Sequence, residues 1–119
     1  MKQKLISALD VLGYPVMLQG SLNPEESYPD SFITFWCDAT YDNTHLDNDV
    51  LSVDWHFSVI FYSNNPTLVN TVPNQIRAVL KSAGFIAQGK GSDIPSDEPT
   101  HTGWVMEFIC TEENNIKEN

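Results

Sequence analysis

Apolar side chains recur at helical spacing in two segments of the chain. Residues 2–12 place their leucines and Ile6 on one face, which predicts an amphipathic first helix. A second helix is predicted over residues 66–83, with Asn65 as its N-cap and Pro66 as its first residue. Pro73 lies inside this helix, where proline removes a backbone donor, so we expect the helix to kink or restart there.

Alternating and aromatic-rich segments predict five strands. Residues 51–63 alternate most cleanly, with one apolar side that we expect to form the core against the second helix. The strand positions on that side are Trp55, Phe57, Val59 and Phe61, and the helix positions facing them are Leu68, Val72, Ile76 and Leu80. The other predicted strands are residues 14–19, 31–39, 85–88 and 103–111.

The predicted order of elements is α-β-β-β-α-β-β. Because helices do not alternate with the strands, we expect an α+β fold, a mostly antiparallel sheet with two helices packed on one face. Residues 1–111 are predicted to form a single domain, and the polar residues 112–119 a disordered tail. Residues 40–50 and 89–102 are polar and are predicted to be long loops, the first projecting from a hairpin.

The composition excludes several partners. Sixteen acidic residues against six basic ones give a formal net charge of −10 over 119 residues, which argues against nucleic-acid binding. No apolar run approaches a membrane span or signal peptide, so we expect no membrane partner and a location in the cytoplasm. Cys37 and Cys110 lie in apolar strands and are predicted to be free core thiols.

No segment carries a specific chemical motif. Residues 84–91 match the P-loop spacing except that Gly91 stands where a magnesium-binding hydroxyl is needed, and they follow a helix instead of preceding one. We therefore predict no catalytic residue, no cofactor and no metal. A metal-dependent enzyme stays open only if three of a dispersed set converge, namely His45, His56, His101, Asp42, Asp47, Asp49 and Glu107. For His56 we favour a satisfied strand histidine, and for His45 and His101 solvent-exposed loop positions.

Four features of the sequence together resemble one protein family. They are the first helix, the hairpin over residues 31–63, the helix start at Asn65-Pro66 and the segment Ser-Asp-Glu-Pro-Thr-His-Thr-Gly at residues 96–103. The chain resembles the tail terminator or tail-completion proteins of long-tailed bacteriophages and their prophages. The resemblance implies a non-enzymatic subunit of a ring, usually of six, that ends the tail tube and prepares head joining. It implies a tail-tube protein and a head-completion protein as partners, and a place first in the host cytoplasm and then in the virion tail.

The two predicted loops are the expected contact surfaces. They are rich in acids and poor in apolar anchors, so we expect them to be mobile in the free chain and to order on contact. The contact residues that we expect are Asp42, His45, Asp47, Asp49, Asp93, Asp97, Glu98 and His101. The alternative is a small non-enzymatic module that binds a ligand or a protein in a concave apolar pocket.

Overall fold

The structure is a computed structural model that describes residues 1–19, 28–46 and 49–113, and in residues 44–51 it describes no side chains. Two helices and five strands follow one another in the predicted order, which confirms the α+β class. The elements are α1 (Lys2–Asp10), β1 (Val16–Leu18), β2 (Ser31–Leu46), β3 (Asp49–Ser63), α2 (Pro66–Ser82), β4 (Ile86–Pro95) and β5 (Thr102–Glu113).

The five strands form one sheet in the order β1-β2-β3-β5-β4. Only β1 runs parallel to its neighbour, and the remaining pairs are antiparallel. Strand β3 is central, because β2 and β5 both pair with it along most of its length. The prediction of a mostly antiparallel sheet is therefore confirmed.

Helix α2 begins as the sequence predicts. The side chain of Asn65 accepts a hydrogen bond from the backbone N–H of Thr67 at 3.0 Å, and Pro66 occupies the first turn, where its missing donor costs nothing. The helix runs unbroken through Pro73, so the predicted restart is wrong. Pro73 is buried, and the apolar residues around it on the same stripe hold this turn against the sheet.

The main core lies between the two helices and one face of the sheet. The predicted pairing of faces is confirmed, since Phe57, Val59 and Phe61 are fully buried in the same cluster as Val72 and Ile76. Trp55 shares this face and packs against the core, but it is only half-buried. Its indole N–H donates to the Glu112 carboxylate at 3.0 Å.

The opposite face of the sheet, called the back face below, has a smaller core of its own. Phe32, Ile60 and Tyr62 are buried there, and the Phe32 and Tyr62 rings stack with centroids 5.2 Å apart. Burial raises the pKa of the Tyr62 hydroxyl above its ordinary 10.0, and the nearby Asp97 charge adds to this. The sheet is therefore not simply polar on the side away from the helices.

The predicted projecting loop is instead strand. Strand β2 continues to Leu46 and β3 begins at Asp49, with pairing from Tyr41↔Asp54 to Leu46↔Asp49. A polar segment can form a strand when a partner satisfies its backbone, and β3 does so here. We call this end of the sheet the arm, defined as residues 41–46, 49–54 and 111–113.

The second predicted loop is also mostly strand. Strand β4 extends to Pro95, with an irregularity between Gln88 and Ser92. Gly91 has a φ of +98°, and a Cβ built there would lie 2.3 Å from the carbonyl oxygen of Val105. Glycine is required at position 91 by this close approach, so this glycine of the P-loop-like segment has a structural role beside β5.

Strand β5 continues two residues beyond the predicted domain boundary. Glu112 and Glu113 pair with Val53 and Ser52, so these first two residues of the predicted polar tail belong to the sheet. The remainder of that predicted tail lies outside the described residues. Both cysteines are free, and Cys110 is buried whereas Cys37 is half-buried. None of the described helices is long and apolar enough to cross a membrane.

Candidate interaction surfaces

The expected contact residues fall into two groups at opposite ends of the sheet. The pairing places the arm at one end of β3, while Thr102 and Pro95 lie beside Ser63 at the other. A strand of the length of β2, 16 residues, spans about 50 Å, and the molecule measures 53 Å along its longest axis. The two groups therefore cannot form one patch on a single copy.

In the arm group, only Asp42 has a described side chain, and it is exposed. His45 and Asp49 have paired backbones, opposite Val50 and Leu46. Their side chains, and Asp47 as a whole, lie outside what the structure describes. The expectation of a mobile loop is corrected for Asp42, His45 and Asp49, because antiparallel pairing fixes their backbone.

In the second group, Asp93 is an exposed residue of β4, and Asp97 is exposed in the connection to β5. Glu98 is half-buried, and its backbone N–H donates to the Ser96 hydroxyl at 3.1 Å. The connection therefore satisfies part of its own backbone, as an ordered turn does.

His101 is not the exposed loop residue that we expected. Its side chain is 7% exposed, and its Nε2 lies 2.8 Å from the carbonyl oxygen of Pro29. Its Nδ1 lies 3.0 Å from the Thr100 hydroxyl, and its ring packs against Tyr28 and Phe32. His101 thus anchors the connection to the back face and offers no surface to a partner in this conformation.

Exposed apolar and acidic side chains share one area of the back face. Strand pairing aligns one row of residues across the sheet, made up of Ile86, Ile109, His56 and Ala39. The next row towards the arm tip consists of Tyr41, Asp54 and Thr111. Ile86 is 62% exposed and Tyr41 57%, both high for large apolar side chains. We call this area the sheet patch, made up of Tyr41, Asp54, His56, Ile86, Glu107 and Ile109.

The carboxylates at the sheet patch are held in place. Asp54 accepts hydrogen bonds from the Thr111 hydroxyl and from the Asn43 amide, and these bonds hold its pKa below the ordinary 3.8. Beside the patch, Asp38 accepts from the Ser58 hydroxyl at 2.8 Å and from the Trp36 indole. Both carboxylates are therefore held in position, and the lowered pKa of Asp54 keeps that group charged at neutral pH.

A shallow apolar groove lies on the other side of the molecule, between the two helices. It is lined by Ala8, Val11, Ala78, Val79, Ser82 and Ala83. Val11 is 73% exposed, the largest exposed fraction among the large apolar side chains described. Lys81 lies one turn after Ala78 on α2, beside this helix groove. The Nζ of Lys4 on α1 instead lies 3.6 Å from the Cys110 sulfur and 5.6 Å from the centroid of the Phe85 ring.

The helices and the strands differ in charge. The two helices carry four basic residues and one acidic residue, Asp10. The strands carry eight acidic residues and one basic residue, Lys90. The Nε of Arg77 on α2 is buried and has no hydrogen-bond partner among the described residues. The helices are therefore positive although the whole chain is strongly negative. The strand acids lie on both faces of the sheet, and strand pairing places Asp42, Asp93 and Glu112 on the face towards the helices.

The dispersed metal ligands do not converge where the structure describes them. Within residues 1–19, 28–46 and 49–113, no three His, Cys, Asp or Glu side chains lie close enough to hold a metal ion. His56 packs its ring edge-on against Tyr41 at 4.9 Å, as a structural strand histidine would. A small cleft near it is lined by Asp38, Tyr41, His56 and Glu107 among others, and each Asp38 oxygen accepts one hydrogen bond, from Trp36 or from Ser58.

The helix groove and the sheet patch were missed in the sequence. Val11 belongs to a helix whose leucines explained its apolar pattern, and its exposure follows from the way the helices pack. Tyr41 lies in a segment that was assigned to a loop. Its place in the patch depends on pairing with Asp54 across the arm, which the local sequence pattern does not indicate.

Comparison with protein-family models and with curated proteins finds no match to this chain.

Proposed function

We propose that this chain is a structural subunit of a phage tail, one copy of a ring that ends the tail tube and prepares it for joining to the head. Its partners would be the tail-tube protein, a head-completion protein and further copies of itself. It would act in the host cytoplasm during assembly and remain in the virion tail. The proposal draws on the resemblance of the hairpin, of the Asn65-Pro66 helix start and of residues 96–103 to tail-completion proteins.

One observation carries the proposal, namely that exposed apolar side chains divide between opposite sides of one small unit, with Tyr41 and Ile86 on the sheet patch and Val11 at the helix groove. A ring subunit contacts a neighbour on each side through two different surfaces, so it needs such a division. The net charge of −10 supports the same role, because like charge around a ring would keep DNA from adhering to it. The same charge disfavours direct nucleic-acid binding.

The alternative is a small non-enzymatic binding module. Such a module needs a concave apolar pocket with a few polar groups in it. The helix groove is shallow and open, and the cleft within the sheet patch is small and bordered by the Asp38 and Glu107 carboxylates, which suits contact with another protein surface better than enclosure of an apolar ligand.

Deletion of the gene from the phage or prophage that encodes it tests the proposal. Without the protein we expect heads and tails that fail to join, with tails of abnormal length under the electron microscope. Expression of the intact chain in trans should restore normal virions. Normal virions without the protein would contradict the proposal, and a tail-tube or head-joining gene beside this one would support it.

A further inference from the structure

We propose that copies of this chain associate front to back, with the sheet patch of one copy against the helix groove of the next. The inference rests on the proposed function in one respect, that copies of the chain contact one another. It adds the two surfaces and their order. The partner at each surface is a second copy of this chain.

The first argument is apolar complementarity. Four large apolar side chains are exposed in the described residues, and three of them belong to these two surfaces. Tyr41 and Ile86 stand on the sheet patch, and Val11 stands at the helix groove. Exposed aromatic and aliphatic side chains surrounded by polar groups are typical anchors of protein interfaces.

The second argument is charge. The sheet patch carries Asp54 and Glu107 with Asp38 at its border, whereas Lys81 lies beside the helix groove. Two copies placed patch to patch would oppose like charges, and so would two placed groove to groove. Placing the patch on the groove pairs opposite charges, which fixes the order of the contact.

The third argument is geometry. The sheet patch and the helix groove lie on opposite sides of the sheet, so both can be engaged in the same copy. A contact between two different surfaces is heterologous, and it closes into a ring when the rotation between copies allows it. The net charge of −10 opposes such contacts at long range, so we expect weak association in the free chain.

Analytical sedimentation measures the association of the full chain and of two variants, each with one surface blocked. The chain concentration is raised to roughly millimolar at physiological salt. Val11→Asp blocks the groove and Ile86→Lys blocks the patch. Both residues are exposed in a single copy, so thermal unfolding should show a retained fold. We expect each variant alone to lose association by about tenfold or more. An equimolar mixture should form one-to-one dimers, because each variant keeps one intact surface.

Charge reversal with a matched control separates the local contact from net repulsion. Glu107→Lys and Asp93→Lys change the net charge equally, and both residues are exposed on strands, but Asp93 pairs beside Trp104 and lies outside the patch. We expect Glu107→Lys to weaken association and Asp93→Lys to leave it unchanged or strengthen it. Adding Lys81→Glu to Glu107→Lys should restore it.

Three results would overturn the inference: a chain that stays monomeric throughout, blocked variants that associate as the parent does, or a mixture that forms no dimer. None of these decides the proposed function. If the parent chain still restores virions while the Val11→Asp and Ile86→Lys variants do so equally well, the ring uses other surfaces and only the front-to-back contact is wrong.

Discussion

Substitution of Phe57 by alanine tests the assignment of the two sheet faces. Phe57 is fully buried at the centre of the main core, 6.2 Å from the Phe85 ring and 6.0 Å from the Trp55 ring between centroids. Truncating such a ring removes its transfer free energy and leaves a cavity, so we expect a loss of about 3 to 5 kcal/mol in the free energy of unfolding. A chain of this size should then melt roughly 10 to 25 °C lower.

Trp55→Ala is the matched control on the same strand and face. Because Trp55 is only half-buried, we expect about 1 to 3 kcal/mol, less than for Phe57 although tryptophan is the larger residue. Urea unfolding of both variants measures the two losses, and the denaturant slope should stay unchanged. A larger loss for Trp55→Ala, or a loss below about 1 kcal/mol for Phe57→Ala, would refute the placement of the core.

Three further outcomes follow from particular contacts. Gly91→Ala should destabilise the fold by more than Gly89→Ala. Both glycines have positive φ, but only a Cβ at position 91 would clash with backbone. The melting temperatures of the two variants test this, and equal losses would contradict it. Thr111→Val should raise the pKa of Asp54 towards 3.8 and lower the free energy of unfolding at neutral pH. The difference in stability between the variant and the parent should fade as pH falls below about 4, where the carboxylate becomes protonated. A carboxyl titration by NMR that shows no shift of the Asp54 pKa would contradict this. His101→Ala should lower the free energy of unfolding by about 1 to 3 kcal/mol, because the Pro29 carbonyl loses its hydrogen-bond partner. It should also speed amide exchange in residues 96–101. Unchanged exchange would argue against an anchoring role for His101.

The parts of the fold that follow strong local rules could be predicted from the sequence. Helix α2 has an N-cap and a first-turn proline, and its apolar stripe runs for four turns. Strand β3 alternates apolar and polar residues from Trp55 to Val59, so its core face was assigned correctly even though Ile60 is apolar on the other face. In both cases local propensity and long-range packing favour the same conformation, which is when a sequence pattern is most informative.

The arm could not be predicted, because its stability comes from pairing and not from burial. Its described side chains are exposed or half-buried, and its polar composition matches that of loops. What makes it strand is the length of β3, which supplies partners for β2 on one side and for β5 on the other. A hydrophobicity pattern does not register that kind of support, so residues 40–50 were assigned to a loop.

A single extra residue decides which side chains form the sheet patch. The pairing of β2 with β3 shifts between Cys37 and Ala39, so Asp38 is a bulge with no partner of its own. In a strand without it, the alternation set by Phe32 and Trp36 would send Thr40 and Asp42 to the back face. The bulge instead sends Tyr41 there, beside His56 and opposite Asp54. The bulged carboxylate is itself bound by the Ser58 hydroxyl on the back face, which holds the shift in place. The exposed aromatic side chain of the patch, and with it the proposed contact between copies, therefore depends on one backbone irregularity.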